Sequence, residues 1–203
     1  MTPLMFKRMA RRTLIAGLVT SQLSACVGLL VAGAAGGALM SSDRRSSQMQ
    51  IDDKQIEFRA SNMLNEKFAN SHVNISSYQR VVLLTGEVPT AAMGKEIEAQ
   101  ALKLAEVKGV INELGVGAFS SLSERTADTA ITTKVKTALF DDKLTHGNAF
   151  RVTTERGVVY LQGRVTQQEG MRAAEIARAV SGVRKVVKVL DYLTDEDLKR
   201  FSN

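Results

Sequence analysis

Few side chains in this sequence have types that could do covalent or metal chemistry. The 203 residues hold one cysteine, Cys26, and two histidines, His72 and His146. A single thiol forms no intramolecular disulfide and cannot build a cysteine-rich zinc site. Two histidines leave little for a metal cluster or a Ser-His-Asp triad. Asp52-Asp53 and Asp141-Asp142 are adjacent carboxylate pairs, but neighbours in a helix do not share a face. They are expected to be helix-end charges. No Gly-x-Gly-x-x-Gly, P-loop, His-Glu-x-x-His or Gly-x-Ser-x-Gly pattern occurs. The sequence therefore predicts no catalytic residue, no metal, no cofactor and no enzyme.

The cysteine has its own context. Lys7, Arg8, Arg11 and Arg12 precede an apolar run, Thr13-Leu14-Ile15-Ala16-Gly17-Leu18-Val19. That is the charged and then hydrophobic order of a secretory signal peptide, expected over residues 1–25. It ends in Leu23-Ser24-Ala25-Cys26, which resembles the bacterial lipobox. In lipoproteins the thiol at that position takes a diacylglyceryl group, the chain is cut before it, and the new amine is acylated. One acyl chain binds a membrane marginally, whereas several hold it stably. Cys26 is thus the expected lipid-attachment residue, and 26–49 the expected Gly/Ala-rich tether with its polar end. Val27 follows where Asp would commonly retain a lipoprotein in the inner membrane, so the outer membrane is the expected destination. A second reading stays open: residues 13–40 are long and apolar enough to span a bilayer, with Cys26 incidental.

The elements that follow are repeated. Val81-Val82-Leu83-Leu84-Thr85-Gly86-Glu87-Val88 matches Val158-Val159-Tyr160-Leu161-Gln162-Gly163-Arg164-Val165 at five of eight positions, 77 residues apart. Ile56, Ala60, Met63 and Leu64 correspond to Ile131, Val135, Ala138 and Leu139 at an offset of 75, and Gly109-Val110 to Gly182-Val183 at 73. Conserved block order marks a true repeat. Each copy reads helix, strand, strand, helix, strand from its apolar periodicity. The falling offset predicts a shorter second helix in the second copy. Gly109 and Gly182 are placed to end that helix, Gly86 and Gly163 to end the central strand, and Val110/Leu114/Val116 and Val183/Val187/Val189 to form the last strand. Sheets of this size are economically covered by two helices on one face.

With the αββαβ order, the Val-x-Leu-x-Gly-x-Val block and the Gly-Val doublet in hand, the chain resembles the BON-domain family. Two copies behind a lipobox are similar to the dual-BON outer-membrane lipoproteins. The resemblance implies an α+β chain with BON domains at 50–118 and 124–193, each a three-stranded mixed sheet under two helices, and a short helix or tail at 194–203. It implies a non-enzymatic envelope protein, facing the periplasm, that binds anionic phospholipid, chiefly phosphatidylglycerol, through the second domain. Support of outer-membrane integrity and a place at the division site are further implications.

The charge distribution bears on that expectation. The chain carries 27 Lys and Arg against 21 Asp and Glu, a net +6. Residues 1–25 hold +4 of it, residues 50–118 are −2, and residues 124–193 are +4. A pI of 9.6 hints at nucleic acid, but secretion and the lack of stacking aromatics on a basic strand argue against it. A basic second repeat suits anionic headgroups, where each well-placed base contributes about 1 kcal/mol. If Ile131, Val135, Ala138 and Leu139 face the core, then Ala130, Lys134, Thr137 and Phe140 flank or oppose them and are candidate lipid contacts, with Phe140 equally able to cap the core. Arg184 and Lys185, near the last strand, are a second basic candidate. The other function weighed is an adaptor in which the acidic first domain docks on an outer-membrane assembly protein.

Overall fold

The computed structural model describes residues 43–194 together with 196 and 197. The signal peptide, Cys26, the apolar run at 13–40 and most of the C-terminal segment lie outside the described residues. The first repeat runs α1 (Ser47–Lys67), β1 (His72–Tyr78), β2 (Val81–Val88), α2 (Ala91–Ala101) and β3 (Gly109–Val116). The second runs α3 (Leu122–Asp141), β4 (Phe150–Glu155), β5 (Val158–Val165), α4 (Gln167–Ala179) and β6 (Lys185–Tyr192). Among the described residues, then, each repeat is αββαβ and the chain is α+β.

Both sheets share one topology. In each, the first two strands form an antiparallel hairpin and the third lies parallel on the other side of the central strand. The parallel pair needs a crossover, and the second helix supplies it. Alternation along the central strand sorts its side chains. In the first repeat Val82, Leu84 and Val88 pack with Ile56, Met63, Leu64, Ile97 and Ala101. In the second Val159, Leu161 and Val165 pack with Ile131, Val135, Leu139, Ala173 and Ala177. Helices cover one face of each sheet, as the periodicity predicts.

The other faces are turned toward each other. Leu83, Thr85 and Glu87 of β2, and Tyr160 and Gln162 of β5, are all buried. The contacts between them are polar. Asn74 Nδ2 donates to Glu155 at 2.7 Å, Ser76 Oγ to Gln162 Oε1 at 2.7 Å, and the Arg164 amide to the Tyr78 hydroxyl at 3.0 Å. Arg151 Nη1 donates to Glu57 at 2.6 Å and to the Ser77 carbonyl at 3.0 Å. The body is therefore layered helices, sheet, sheet, helices, with a hydrogen-bonded seam at its middle. Burial and the facing carboxylates Glu113 and Glu155 push the Tyr160 hydroxyl well above its usual range.

Four expectations change. Val81 pairs with Gly109, and Val158 with Lys185, so Gly109 corresponds to Lys185 and not to Gly182. Gly182 is a turn residue at φ +97°, whereas Gly109 opens β3. The last strand of the second repeat therefore starts at Lys185: Val187 and Val189 lie in it as expected, Val183 precedes it, and Val183, Val186 and Leu190 pack on the core. The second helix is not shortened: α4 has 13 residues and α2 has 11. The connection after it is what contracts, from residues 102–108 to 180–184. Gly86 and Gly163 lie inside their strands rather than at their ends. Close approach does explain them: a Cβ would sit 2.1 Å from the His72 oxygen at Gly86, and 2.6 Å from the Ala149 oxygen at Gly163.

Asp53 is the other correction. It lies in the second turn of α1 and is fully buried, not a helix-end charge. Its carboxylate accepts from the amides of Gln79 and Arg80, from Ser77 Oγ and from Arg45. It thereby ties the β1–β2 turn, where Gln79 and Arg80 have φ of 55° and 65°, to the helix. Asp128 does the same in the second repeat, accepting from the amides of Arg156 and Gly157 at 2.7 and 2.8 Å.

Candidate membrane-contact site

Helix α3 begins with a complete capping box: Ser121 accepts from the Glu124 amide and Glu124 returns to the Ser121 amide, which satisfies two otherwise unpaired donors. Asp128, Ile131, Val135 and Leu139 form its buried stripe. Ala130, Lys134, Thr137 and Phe140 are all exposed on the remaining surface. Phe140 is 63% exposed, so it does not cap the core. Thr126, Thr129 and Thr133 donate to the carbonyls four residues back. Their hydroxyls are thus occupied, and their methyl groups add to a mildly apolar face.

The helix ends against the loop that follows. Thr145 Oγ1 donates to the Leu139 carbonyl at 2.7 Å, and Gly147 sits so close to Phe140 that a Cβ would come within 2.7 Å of its backbone. Asp142 caps a helix C-terminus, where the dipole disfavours an acid. Arg172 of α4 offsets that with two bonds at 2.9 and 3.0 Å. Burial pulls the Asp142 carboxyl up, but Arg172 and the Leu144 amide hold it below the usual range. Leu144, two residues after Asp142, and Met171, next to Arg172 in the chain, are 60% and 55% exposed. The sequence reading missed both. Leu144 lies outside any periodic stripe, and Met171 reads as ordinary helix filling.

Arg184 and Lys185 are exposed but do not join this group. Arg184 lies against the Gly157 turn, within 2.8 Å of where a Cβ would stand, and its amide donates to the Gly157 carbonyl. Asp128 holds the same turn, so the pair sits near the N-terminal half of α3, at the end away from Phe140.

Two arginines just ahead of α1 were also missed. Arg44 forms a fork on Glu169 in the first turn of α4, at 2.7 and 2.8 Å. Glu169 also receives the Thr166 amide and His146. Burial would raise its carboxyl, but these partners, Arg44 foremost, bring it down to about 2. Arg45, buried, bonds Asp43 and Asp53 and lies 4.1 Å above the Tyr78 ring. Consecutive residues thus grip both repeats.

His72, Glu87 and Glu155 are the group that could offer metal ligands, their ligand atoms lying within 4.8 Å of one another. Each already has a partner. His72 Nδ1 is 2.7 Å from Glu87 Oε2, Ser120 donates to Glu87 Oε1, and Asn74 to Glu155. Burial raises Glu87, but His72 and Ser120 outweigh it and leave it low, whereas burial leaves Glu155 above its ordinary value. The arrangement is a bonded polar seam. Among the described residues no helix is long and apolar enough to cross a membrane.

Two copies of αββαβ joined through a polar seam define the class. The model of the BON domain matches residues 52–118 and 127–194, and the chain belongs to the BON-domain family. It is 37% identical over 174 residues to the Outer membrane lipoprotein DolP of Haemophilus influenzae, covering 84% of this chain and 90% of that one. Within the family it is a dual-BON outer-membrane lipoprotein of the DolP type. It is also 31% identical over 154 residues to a 21 kDa hemolysin of Actinobacillus pleuropneumoniae, with 74% and 79% of the chains covered. The Osmotically-inducible protein Y of Escherichia coli is 30% identical over 141 residues, with 67% and 70% covered.

Proposed function

We propose that this lipoprotein is anchored to the outer membrane through acylated Cys26, faces the periplasm, and binds anionic phospholipid, chiefly phosphatidylglycerol, through its second BON domain. It is non-enzymatic and supports envelope integrity, acting at the division site. The observation that carries the reading is the exposed side of α3, where Phe140 stands in solvent one helical turn from exposed Lys136, with exposed Lys134 on the flank beyond Thr137. An aromatic ring beside basic side chains can bury its apolar body in the interface while the ammonium groups stay wet. Ala130 and Thr137 complete that surface, and Arg184 and Lys185 are a separate basic pair. The protein has no tryptophan, so a single introduced one reports cleanly. Lipidated Phe140→Trp protein, reconstituted in phosphatidylethanolamine vesicles, should blue-shift its emission when phosphatidylglycerol is included, and Lys134→Glu should reverse the shift. Emission unchanged by phosphatidylglycerol would overturn the reading. Fatty-acid labelling of wild type and Cys26→Ala tests the anchor: label should be lost in the variant.

A further inference from the structure

We propose that His72, Glu87 and Glu155 form a zinc site that fastens the two BON domains to each other across their seam. The inference is independent of the lipid reading.

The backbone brings the three ligands together. His72 and Glu87 are direct partners in the β1–β2 register, and opposite residues of an antiparallel pair share a face. That face is the one turned to the second domain. Asn74, two residues on from His72, also lies on it and bonds Glu155 at 2.7 Å. Glu155 is the last residue of β4 and comes from the other domain. One ligand atom from each of the three lies within 4.8 Å of the others. Zinc bonds imidazole nitrogen and carboxylate oxygen at about 2.0–2.2 Å, so tetrahedral ligand atoms stand roughly 3.4 Å apart. His72 Nδ1 and Glu87 Oε2, 2.7 Å apart, need only part slightly. Glu155 closes by side-chain rotation. Both carboxylates are buried, and the His72 side chain, 20% exposed, gives the way in from solvent.

The charges around the site call for a cation. Glu87, Glu155 and Asp128 bring three carboxylates to one end of the seam. Burial, and after it the charges of Glu87 and Asp128, hold Glu155 above its ordinary value. One guanidinium faces them: Arg156 Nε is 3.7 Å from Glu87, with its side chain 46% exposed. Arg125 bonds the Ser120 carbonyl, and Glu124, its neighbour in the chain, offsets its charge. Arg184 and Lys185 lead into β6, at the opposite edge of that sheet. Two carboxylates and one imidazole are donors that suit zinc, with a fourth position for water.

The hydrogen bonds already described hold the ligands in place for the metal. His72 Nδ1 and Glu87 Oε2 keep one proton between them; zinc takes its position and the proton passes to solvent. Ser120 stays on Glu87 Oε1 and Asn74 on Glu155 Oε2, the supporting bonds that orient metal-binding carboxylates. Two ligands belong to the first domain and one to the second, so bound zinc resists opening of the seam.

The test uses acylated full-length protein in detergent, stripped with a chelator and then titrated with zinc chloride. Dialysed protein should retain one zinc per chain. With zinc at about 100 times its dissociation constant, the thermal midpoint should rise by roughly 5–10 °C. His72→Ala and Glu155→Gln should each abolish the rise. Glu155→Gln separates binding from folding, because it removes a buried charge and in stripped protein should melt no lower than wild type. His146→Ala should keep the rise, and zinc should move the imidazole NMR signals of His72 and leave those of His146. A rise that survives Glu155→Gln and is lost in His72→Ala places the metal on the first domain alone and overturns the link between domains. No zinc retained by wild type, or equal retention when His72→Ala and Glu155→Gln are combined, overturns the site. An equal rise with magnesium, which takes oxygen ligands, overturns the role of His72.

Discussion

The first helices of the two repeats bury the same pattern and present opposite surfaces. Ile56, Ala60 and Leu64 in α1 and Ile131, Val135 and Leu139 in α3 fill equivalent places against their sheets. On the outside they diverge. α1 carries Ile51 and Phe58, exposed by 50% and 67%, where α3 has Thr126 and Thr133. α1 carries Asp52, Asp53, Glu57 and Glu66 against Lys54, Arg59 and Lys67, and Arg45, Arg80 and Arg151 engage the first three of those acids. α3 balances Glu124, Asp128 and Asp141 with Arg125, Lys134 and Lys136, and carries Phe140 in its last turn. Duplication preserved what the core demands and left the surface free to change. Exposure alone does not make a membrane site, since Phe58 is as open as Phe140. The charge of the two domains, −2 over residues 50–118 against +4 over residues 124–193, separates them.

Removing the buried aspartates breaks the comparison most severely. Asp53→Ala should destabilise the protein by about 3–5 kcal/mol, because it leaves buried Arg45 without that carboxylate and frees the turn amides. Asp128→Ala, which loses two amide bonds but strands no buried arginine, should cost about 2 kcal/mol. Urea unfolding of both variants measures the gap, and equal losses would contradict the role assigned to Arg45.

Glu169→Gln should cost about 2 kcal/mol at neutral pH by weakening the Arg44 fork. Its sign with pH is fixed. A carboxyl whose folded pKa lies at about 2 gives its full stabilisation above the unfolded value near 4.3, and loses it as pH falls toward 2. The difference between wild type and variant should close over that window, as thermal melts would show. Asp52, Glu57 and Glu87 of the first repeat are also held below the usual carboxylate range by their partners, so their contributions should fade in acid in the same direction.

Glu155→Gln is the smallest and has the opposite sign. Burial holds this carboxyl above its ordinary value, so ionisation opposes folding at neutral pH. The variant should be more stable than wild type there, by about 1 kcal/mol. The wild-type disadvantage fades as pH falls and the carboxyl protonates. Glu87, held low by His72 and Ser120, should respond the other way: Glu87→Gln destabilises above the carboxylate range, and its deficit shrinks in acid. A matching response of the two carboxyls in thermal melts would undo the account of the seam.

The fold was legible because burial is periodic. Ile56, Ala60 and Leu64 in one copy and Ile131, Val135 and Leu139 in the other announce a helix on a sheet before any coordinate is known. The repeat alignment misled only where Gly-Val recurs by coincidence: Gly182 serves a turn and Gly109 a strand. The same alignment at an offset of 75 already pairs Asp53 with Asp128, and could have exposed their shared role. The seam was not legible, because Thr85, Glu87 and Gln162 read as solvent-facing positions until a second sheet covers them. Within the candidate site, the α3 residues followed from helical spacing. Arg44 did not, since its fork on Glu169 joins segments 125 residues apart.

The central claim, that domain 2 and not domain 1 meets the lipid, is tested most directly by one paired measurement. Lipidated Phe140→Trp and Phe58→Trp proteins are compared in vesicles with and without phosphatidylglycerol, reading emission and quenching by brominated lipid. The account predicts a phosphatidylglycerol-dependent blue shift and quenching at 140, with 58 remaining solvent-exposed. A response at 58 equal to or larger than that at 140, or none at 140, contradicts it.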